Sequence, residues 1–245
     1  MKIQLATPTR GQLDHEHLQS VDELIELARV PGADFKLNIV RMFGCSLLDH
    51  ARSRIATNFL ETDFDVLLWI DDDMVFDAQQ CLDICRAAYE RRTIVGAVCS
   101  TRGVRGKITA KFGPDVTSLG FGTQGGLHEA ISIGCGLTAV SRDVLEAIVE
   151  RGDLVRCNTA GEGSSEHIYP FYMTIVEDSI WWGEDTSFCI RARRLGFPVM
   201  VDTRARVGHK GSYVYHIEDT ADSVKLYKGF TTHIVQAGAE PKAAE

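Results

Sequence analysis

The sequence predicts an α/β fold with a mixed, mostly parallel central sheet flanked by helices, and three observations predict it. Val66-Leu67-Leu68-Trp69-Ile70 is a continuous apolar run, the pattern of a strand buried on both faces. Through the first hundred residues, short strand-like runs alternate with stretches of helical periodicity, the β-α-β signature of a doubly wound sheet. A length of 245 residues with 44% hydrophobic and 24% charged residues suits one large domain with a full core.

Taken in order, Ile3-Gln4-Leu5-Ala6 is a short strand stopped by Thr7-Pro8-Thr9-Arg10-Gly11, and a helix follows from about His17 to Arg29 before Pro31-Gly32. Lys36 to Arg41 reads as a second strand. Leu47, Leu48, Ala51, Ile55, Ala56 and Phe59 then recur at helical spacing, with Arg52, Arg54 and Asn58 on the opposite face. The run from Val66 leads directly into Asp71-Asp72-Asp73, so these carboxylates sit at a strand's C-terminal end, where ligands bind in open α/β sheets. A helix over Ala78 to Arg91 and a strand over Ile94 to Val98 complete this half. From Ser100 to Glu129 glycine is frequent, which predicts loops and a hairpin. Ile131 to Val140 is expected as one strand, Asp143 to Arg151 as a helix, and Gly183 to Leu195 as a helix ended by Gly196. Two short strands are expected before the His209-Lys210-Gly211 turn, then a last helix over Asp219 to Val235 and a frayed tail after Gly238.

Charge and composition narrow the function. A net charge of −8 gives no general attraction to nucleic acid or anionic lipid. No apolar run approaches the roughly 18 residues of a membrane span, so no stable membrane insertion and a cytoplasmic location are expected. Seven cysteines, an odd number set mostly in apolar segments, read as reduced buried thiols, and Cys81 and Cys85 as a core-facing helix pair. Arg102, Arg105, Lys107 and Lys111 form a local basic stretch that reads as a solvated loop.

Three adjacent aspartates repel one another and call for a compensating positive charge, most simply a divalent cation. In an extended chain Asp71 and Asp73 point to the same side. Mg²⁺ or Mn²⁺ held by one or two carboxylates keeps positions open for phosphate oxygens. The plain alternative is a solvated Asp turn leading into the helix at Ala78. Likewise Glu184 and Asp185 sit at a helix N-terminus, where the dipole stabilises carboxylates with or without a catalytic task.

Together these residues resemble the GT-A glycosyltransferases. The strand ending in Asp71-Asp72-Asp73 is similar to that family's Asp-x-Asp metal motif, and Trp182-Gly183-Glu184-Asp185 through Gly196-Phe197 resembles its Glu-Asp helix start. Val207-Gly208-His209-Lys210-Gly211 resembles its histidine turn, and Ile133-Gly134-Cys135-Gly136 its small-residue strand under the donor sugar. The resemblance implies a Rossmann-like GT-A domain over 1–238, with a nucleotide-binding half over 1–100, an acceptor and metal half over 130–211, and a flexible tail over 239–245. It implies Mn²⁺ or Mg²⁺ at Asp71, Asp73 and His209, and a nucleotide-diphosphate sugar as donor. Donor contacts fall on Thr7, Pro8, Arg10, Arg52, Asp71, Asp72, Gly134, Gly136 and Lys210. Asp185, with Glu184 beside it, becomes the acceptor-side base of a hexosyl- or pentosyltransferase. The acceptor is a hydroxyl of a saccharide, protein, lipid-linked sugar or modified nucleobase, and Trp181 and Trp182 either stack on it or pack in the core.

Two other classes fit less well. A nucleotidyltransferase shares the nucleotide-binding half but usually has a glycine-rich basic loop where this chain has Thr7-Pro8-Thr9-Arg10-Gly11. A non-catalytic nucleotide-sugar or carbohydrate-binding module would not need Asp73, Asp185 and His209 intact.

Overall fold

The computed structural model describes residues 1–44, 46–101, 107–152, 154–158, 167–211, 213–220 and 229–233. The first half runs β1 (Lys2–Pro8), α1 (His15–Arg29), β2 (Lys36–Met42), α2 (Leu48–Leu60), β3 (Val66–Ile70), β4 (Met74–Phe76), α3 (Ala78–Arg91) and β5 (Ile94–Ala97). Short strands follow: β6 (Ala110–Lys111), β7 (Ser118–Gly122), β8 (Leu127–Ala130), β9 (Ser132–Ile133) and β10 (Leu137–Ser141). After α4 (Arg142–Arg151) come β11 (Cys157–Asn158), β12 (His167–Ile168), β13 (Ile175–Glu177), β14 (Ile180–Trp182) and α5 (Glu184–Arg194). The chain ends in β15 (Val199–Asp202), β16 (Val207–Lys210), β17 (Val214–His216), a 3-10 turn over Ile217–Thr220, and β18 (Gly229–His233).

Seven strands form the central sheet in the order β2-β1-β3-β10-β5-β15-β8. Five run in one direction, while β10 and β8 oppose their neighbours, so the sheet is mixed and mostly parallel. The doubly wound pattern therefore breaks at one place: β3 and β5 are not neighbours, because β10 from the second half lies antiparallel between them.

Alternation along the strands supplies both cores. In β3, Val66, Leu68 and Ile70 pack with Val21 and Leu24 of α1 and with Cys81, Leu82 and Cys85 of α3. Leu67 and Trp69 point the other way, to Ile55 and Phe59 of α2, Leu145 and Ile148 of α4, and Phe188 of α5. All five β3 residues are fully buried, as the apolar run predicts. Beside Trp69, Tyr172 meets its ring edge-on at 5.5 Å and stacks on Phe188 at 4.5 Å, which ties β3 to α5. Such pairs add about 0.5–1.5 kcal/mol each beyond their burial. Six cysteines are free thiols; five are buried, including Cys81 and Cys85, and Cys157 is exposed, while Cys45 lies outside the described residues.

Several elements depart from expectation. The strand expected over 131–140 is interrupted at Gly134-Cys135-Gly136, where the Gly136 carbonyl leaves the ladder to accept the Asp71 amide at 3.1 Å. In the glycine-rich stretch, β7 and β8 do not pair with each other: β8 joins the central sheet beside β15, and β7 pairs with β18. That last strand stands where a helix was expected. Its Phe230-Thr231-Thr232 core is rich in aromatic and β-branched residues, which fit a pleated surface, and Phe230 lies in register with Phe121. Residues 221–228 and 234–245, the rest of that expected helix and the tail, lie outside the described residues. Of the polar face expected on α2, Asn58 is exposed and Arg54 half-buried, but Arg52 is buried.

Helix α1 is tied to the Asp71–Asp73 turn through His17, which is fully buried and whose Nδ1–H donates to the Met74 carbonyl at 3.1 Å. Burial holds the His17 imidazole below its ordinary range, and burial does the same to His216. Both groups bind fewer protons folded than unfolded. Their contribution to stability is therefore complete above the unfolded pKa of about 6.5 and is lost as the pH falls through it. The melting temperature should fall between pH 7 and pH 5, and His17→Gln should flatten that decline; a pH series of thermal melts checks this.

Candidate active site

Three sheet-end segments meet where β1, β3 and β16 terminate. The Asp71-Asp72-Asp73 turn follows β3, its backbone held by the Asp71 amide on Gly136 and by the Met74 amide on the Asp71 carbonyl, 3.1 Å each. The Lys210 amide donates to the Asp73 carbonyl at 2.7 Å, which brings β16 and His209 alongside. The His209 Nδ1 must carry the proton, because its partner is the Ser100 carbonyl at 2.9 Å. In the neutral ring Nε2 then presents a lone pair to Asp73 Oδ2, 3.4 Å away. Two acceptors facing each other at that distance are complementary only to something positive between them, a proton or a metal ion, and a carbonyl behind the ring is the usual support of a metal-binding histidine.

Each aspartate has a different partner. Thr9 Oγ1 donates to Asp72 Oδ2 at 2.6 Å and accepts the Gly11 amide at 3.1 Å, which fixes the loop after β1 against the turn. Asp71 turns inward to Arg52, whose Nη2 lies 2.6 Å from Asp71 Oδ1 while its Nη1 lies 2.7 Å from Glu184 Oε1. The Arg52 side chain is only 2% exposed. Burial opposes its charge, but the Asp71 and Glu184 carboxylates outweigh that and hold the guanidinium above its ordinary range. Breaking such a pair from one side typically costs about 3–5 kcal/mol, because the remaining charge is left buried alone.

Asp185 follows Glu184 in the first turn of α5. Its Oδ1 accepts the Thr186 amide at 2.6 Å, and its Oδ2 lies beside the Gly134 backbone, where an added Cβ would stand 3.3 Å away. A Cβ on Gly136 would stand 3.2 Å from Met74 Sδ, so both glycines of the interrupted strand permit close approach. Two neighbouring hollows result. An outer cleft of about 1070 Å³ is lined by Pro8, Thr9, Arg10, the three aspartates, His209 and Lys210. An inner cavity of about 130 Å³ is lined by Arg52, Asp71, Gly134, Gly136, Glu184, Asp185 and His209. Asp71, His209 and Leu48 line both.

Most of the residues singled out in the sequence thus come together. Pro8, Arg10, Asp71, Asp72, Asp73, Gly134, Gly136, Glu184, Asp185, His209 and Lys210 all line one hollow or the other. Thr7 is fully buried and lines neither, its neighbour Thr9 standing at the site. Arg52, read as a contact for base or phosphate, is held by two carboxylates. Lys210, read as a diphosphate partner, is ion-paired with Glu16, whose carboxyl is held at about 2 by hydrogen bonds with Asp14 and Lys210. Asp71, Asp73 and His209 do not converge into a tight trio. Among the described residues only Asp14, His15 and Glu16, on the rim of the outer cleft, place three potential ligand atoms within 4.8 Å of one another.

The aromatic pair divides. Trp182 is partly buried under the Lys111 ammonium, 4.9 Å from its ring, whereas Trp181 is 73% exposed on the β13–β14 hairpin. Ser187 fixes this hairpin to α5, donating from Oγ to the Trp182 carbonyl at 3.0 Å and accepting the Ile175 amide at 2.9 Å. Arg102 and Arg105 of the basic stretch lie outside the described residues. Glu16, the Ser100 carbonyl and, within the loop after the first strand, Thr9 were not singled out individually in the sequence. Of these, only Thr9 carried a signal, the small polar residue in the turn after the first strand.

The fold is shared with the crystal structure of A197 from STIV, to which the chain is 18% identical over 86% of both chains with a TM-score of 0.53. Weaker matches are the crystal structure of GalNAc-T7 with UDP, GalNAc and Mn²⁺ (13% identity, 92% of this chain and 45% of that one, TM-score 0.49) and that of S. aureus TarS 1–349 (11%, 83% and 58%, 0.41). No family model and no curated protein matches the chain. No helix among the described residues is long and apolar enough to cross a membrane.

Gly134 offers a direct check on the inner cavity. Gly134→Ala places a methyl against Asp185 and should lower any turnover on the order of tenfold, a few tenths of an ångström being enough to disturb a reacting geometry. Circular dichroism should show the fold retained.

Proposed function

We propose that the chain is a metal-dependent glycosyltransferase that moves a sugar from a nucleotide-diphosphate sugar to a hydroxyl acceptor. The observation that carries this reading is the facing of Asp73 and His209 at 3.4 Å in a wide cleft, with Asp185 in the adjoining cavity. The first pair suits a cation and the diphosphate it neutralises; the second position suits a proton acceptor. The residue patterns that resemble GT-A enzymes fall on these same places.

Asp73 and His209 would hold the cation, with Asp71 on its inner side. When bound, Mn²⁺ or Mg²⁺ supplies positive charge against the departing diphosphate. Thr9, Asp72 and the loop from Pro8 to Arg10 line the cleft where the nucleoside lies. Gly134 and Gly136, lacking side chains, let the donor sugar rest against the backbone between cleft and cavity. Asp185 then takes the proton of the acceptor hydroxyl as that oxygen bonds to the anomeric carbon and the bond from that carbon to the diphosphate breaks. Trp181, held on a hairpin only three residues before Glu184, is within about 11 Å of it along the chain. An exposed indole at that range suits the apolar face of an acceptor saccharide.

Donor binding and slow hydrolysis across a panel of nucleotide-diphosphate sugars, with Mn²⁺, Mg²⁺ or chelator, test the reading. One donor should bind only with metal, and Asp73→Ala should abolish this. Asp185→Asn should keep donor binding and lower transfer at least about a hundredfold, the usual scale for a lost general base. Binding of no donor by the wild type would overturn the proposal. Separately, Trp181→Ala should raise the acceptor KM by about tenfold, the worth of one stacking contact, without changing donor hydrolysis.

A further inference from the structure

We infer that Arg52 is a positioning residue that fixes the donor side of the site to the acceptor side by gripping Asp71 and Glu184 at once, and that Glu184 serves in this grip while Asp185 alone faces the acceptor. The inference rests on the glycosyltransferase reading for its catalytic consequence, but its structural content stands on the geometry.

Among the described residues Arg52 is the only lysine or arginine that is buried, and it makes contacts of 2.6 and 2.7 Å to carboxylates from opposite halves of the chain. Asp71 terminates the apolar strand β3, and Glu184 opens helix α5, 113 positions later. The guanidinium is planar with its donors in a rigid fork, so spreading its two terminal nitrogens over two carboxylates fixes their separation as well as their orientation. Lysine, a single point of charge on a flexible stem, cannot do this. Arg52 stands on a buried stretch of α2, where Ala51, Ser53, Ile55 and Ala56 are buried too. Without the cation, Asp71 and Glu184 would repel one another.

The consequence for chemistry lies in the next residue. Glu184 Oε1 is taken by Arg52, whereas Asp185 spends Oδ1 on the Thr186 amide and leaves Oδ2 beside Gly134 at the inner cavity. Drawing Glu184 toward an acceptor would break its 2.7 Å contact with Arg52 in the protein interior. Transfer requires the donor's anomeric carbon and the acceptor's base to be held at a set distance, and a misplacement of about 1 Å costs on the order of a hundredfold. The Arg52 grip joins, through two hydrogen-bonded carboxylates, the segment carrying Asp71 to the segment carrying Asp185.

The experiment compares Arg52→Lys, Arg52→Met, Glu184→Gln and Asp185→Asn, plus Arg52→Met in the Asp71→Asn/Glu184→Gln background, which removes the stranded charges if Arg52→Met alone does not fold. With the donor found above, Arg52→Met should lower kcat by about a hundredfold while donor KM changes less than about threefold, and Arg52→Lys should not rescue it. Glu184→Gln, which keeps an acceptor oxygen toward Arg52, should lower kcat less than about tenfold, against more than about a hundredfold for Asp185→Asn. A rise in donor KM at constant kcat in Arg52→Met would make Arg52 a ligand contact and overturn the inference. So would wild-type kcat in Arg52→Lys, or a Glu184→Gln defect equal to that of Asp185→Asn. Thermal melts of the same variants decide the grip without any turnover: Arg52→Met should cost far less stability in the Asp71→Asn/Glu184→Gln background than in the wild type, whereas equal costs would refute it. If the wild type turns over no donor but the melts show this coupling, the transferase reading fails and the grip stands.

Discussion

The buried guanidinium of Arg52 is the constraint on which the site depends. Five of the residues that converge there, Asp71, Asp72, Asp73, Glu184 and Asp185, are acidic, and the sheet would gather them at one end with nothing to balance them from within. A carboxylate cluster of that size is stable only with positive charge inside or beside it. The chain provides it at two depths. Arg52 serves the inner carboxylates from beneath at hydrogen-bonding distance, while Lys210 is drawn to Glu16 on the rim. Between these depths lies the Asp73–His209 pair, where a proton or cation is the natural complement.

Much of the framework was legible in the sequence because it rests on local patterns. The β3 run announced a strand buried on both faces, and its direct continuation into Asp71-Asp72-Asp73 placed those carboxylates at a sheet end without any tertiary information. Helices α1, α3, α4 and α5 followed from periodicity and from their bounding residues, including Gly196, whose φ of +89° marks the left-handed turn after α5. His209 and Asp185 are distant in sequence from Asp71, yet their short motifs led to the same region.

What stayed hidden depended on long-range pairing. Arg52 looked like part of a polar face, because helical periodicity separates apolar from polar residues but is blind to a charge neutralised by partners 19 and 132 positions away. Lys210 looked available to a ligand for the same reason, its partner Glu16 being 194 positions away. The strand at Gly229–His233 was read as helix since its partner, Ser118–Gly122, lies in a glycine-rich stretch with no period of its own. In each case the local signal was genuine and a distant contact outweighed it.

The insertion of β10 between β3 and β5 decides which backbone stands beside the inner cavity. A parallel strand in that position would bring its own C-terminal end, and the loop after it, to the mouth of the cleft. An antiparallel strand brings its N-terminal end there instead, and what precedes β10 is the interrupted Gly134-Cys135-Gly136 segment. That segment holds the Asp71 amide through Gly136 and abuts Asp185 at Gly134. One reversed strand therefore brings to the inner cavity the backbone that holds Asp71 at one end and abuts Asp185 at the other. A Cβ at 134 would press on Thr109 and Asp185, and one at 136 on Met74 and Cys99, so the same glycines that break the strand let it pass close to its neighbours.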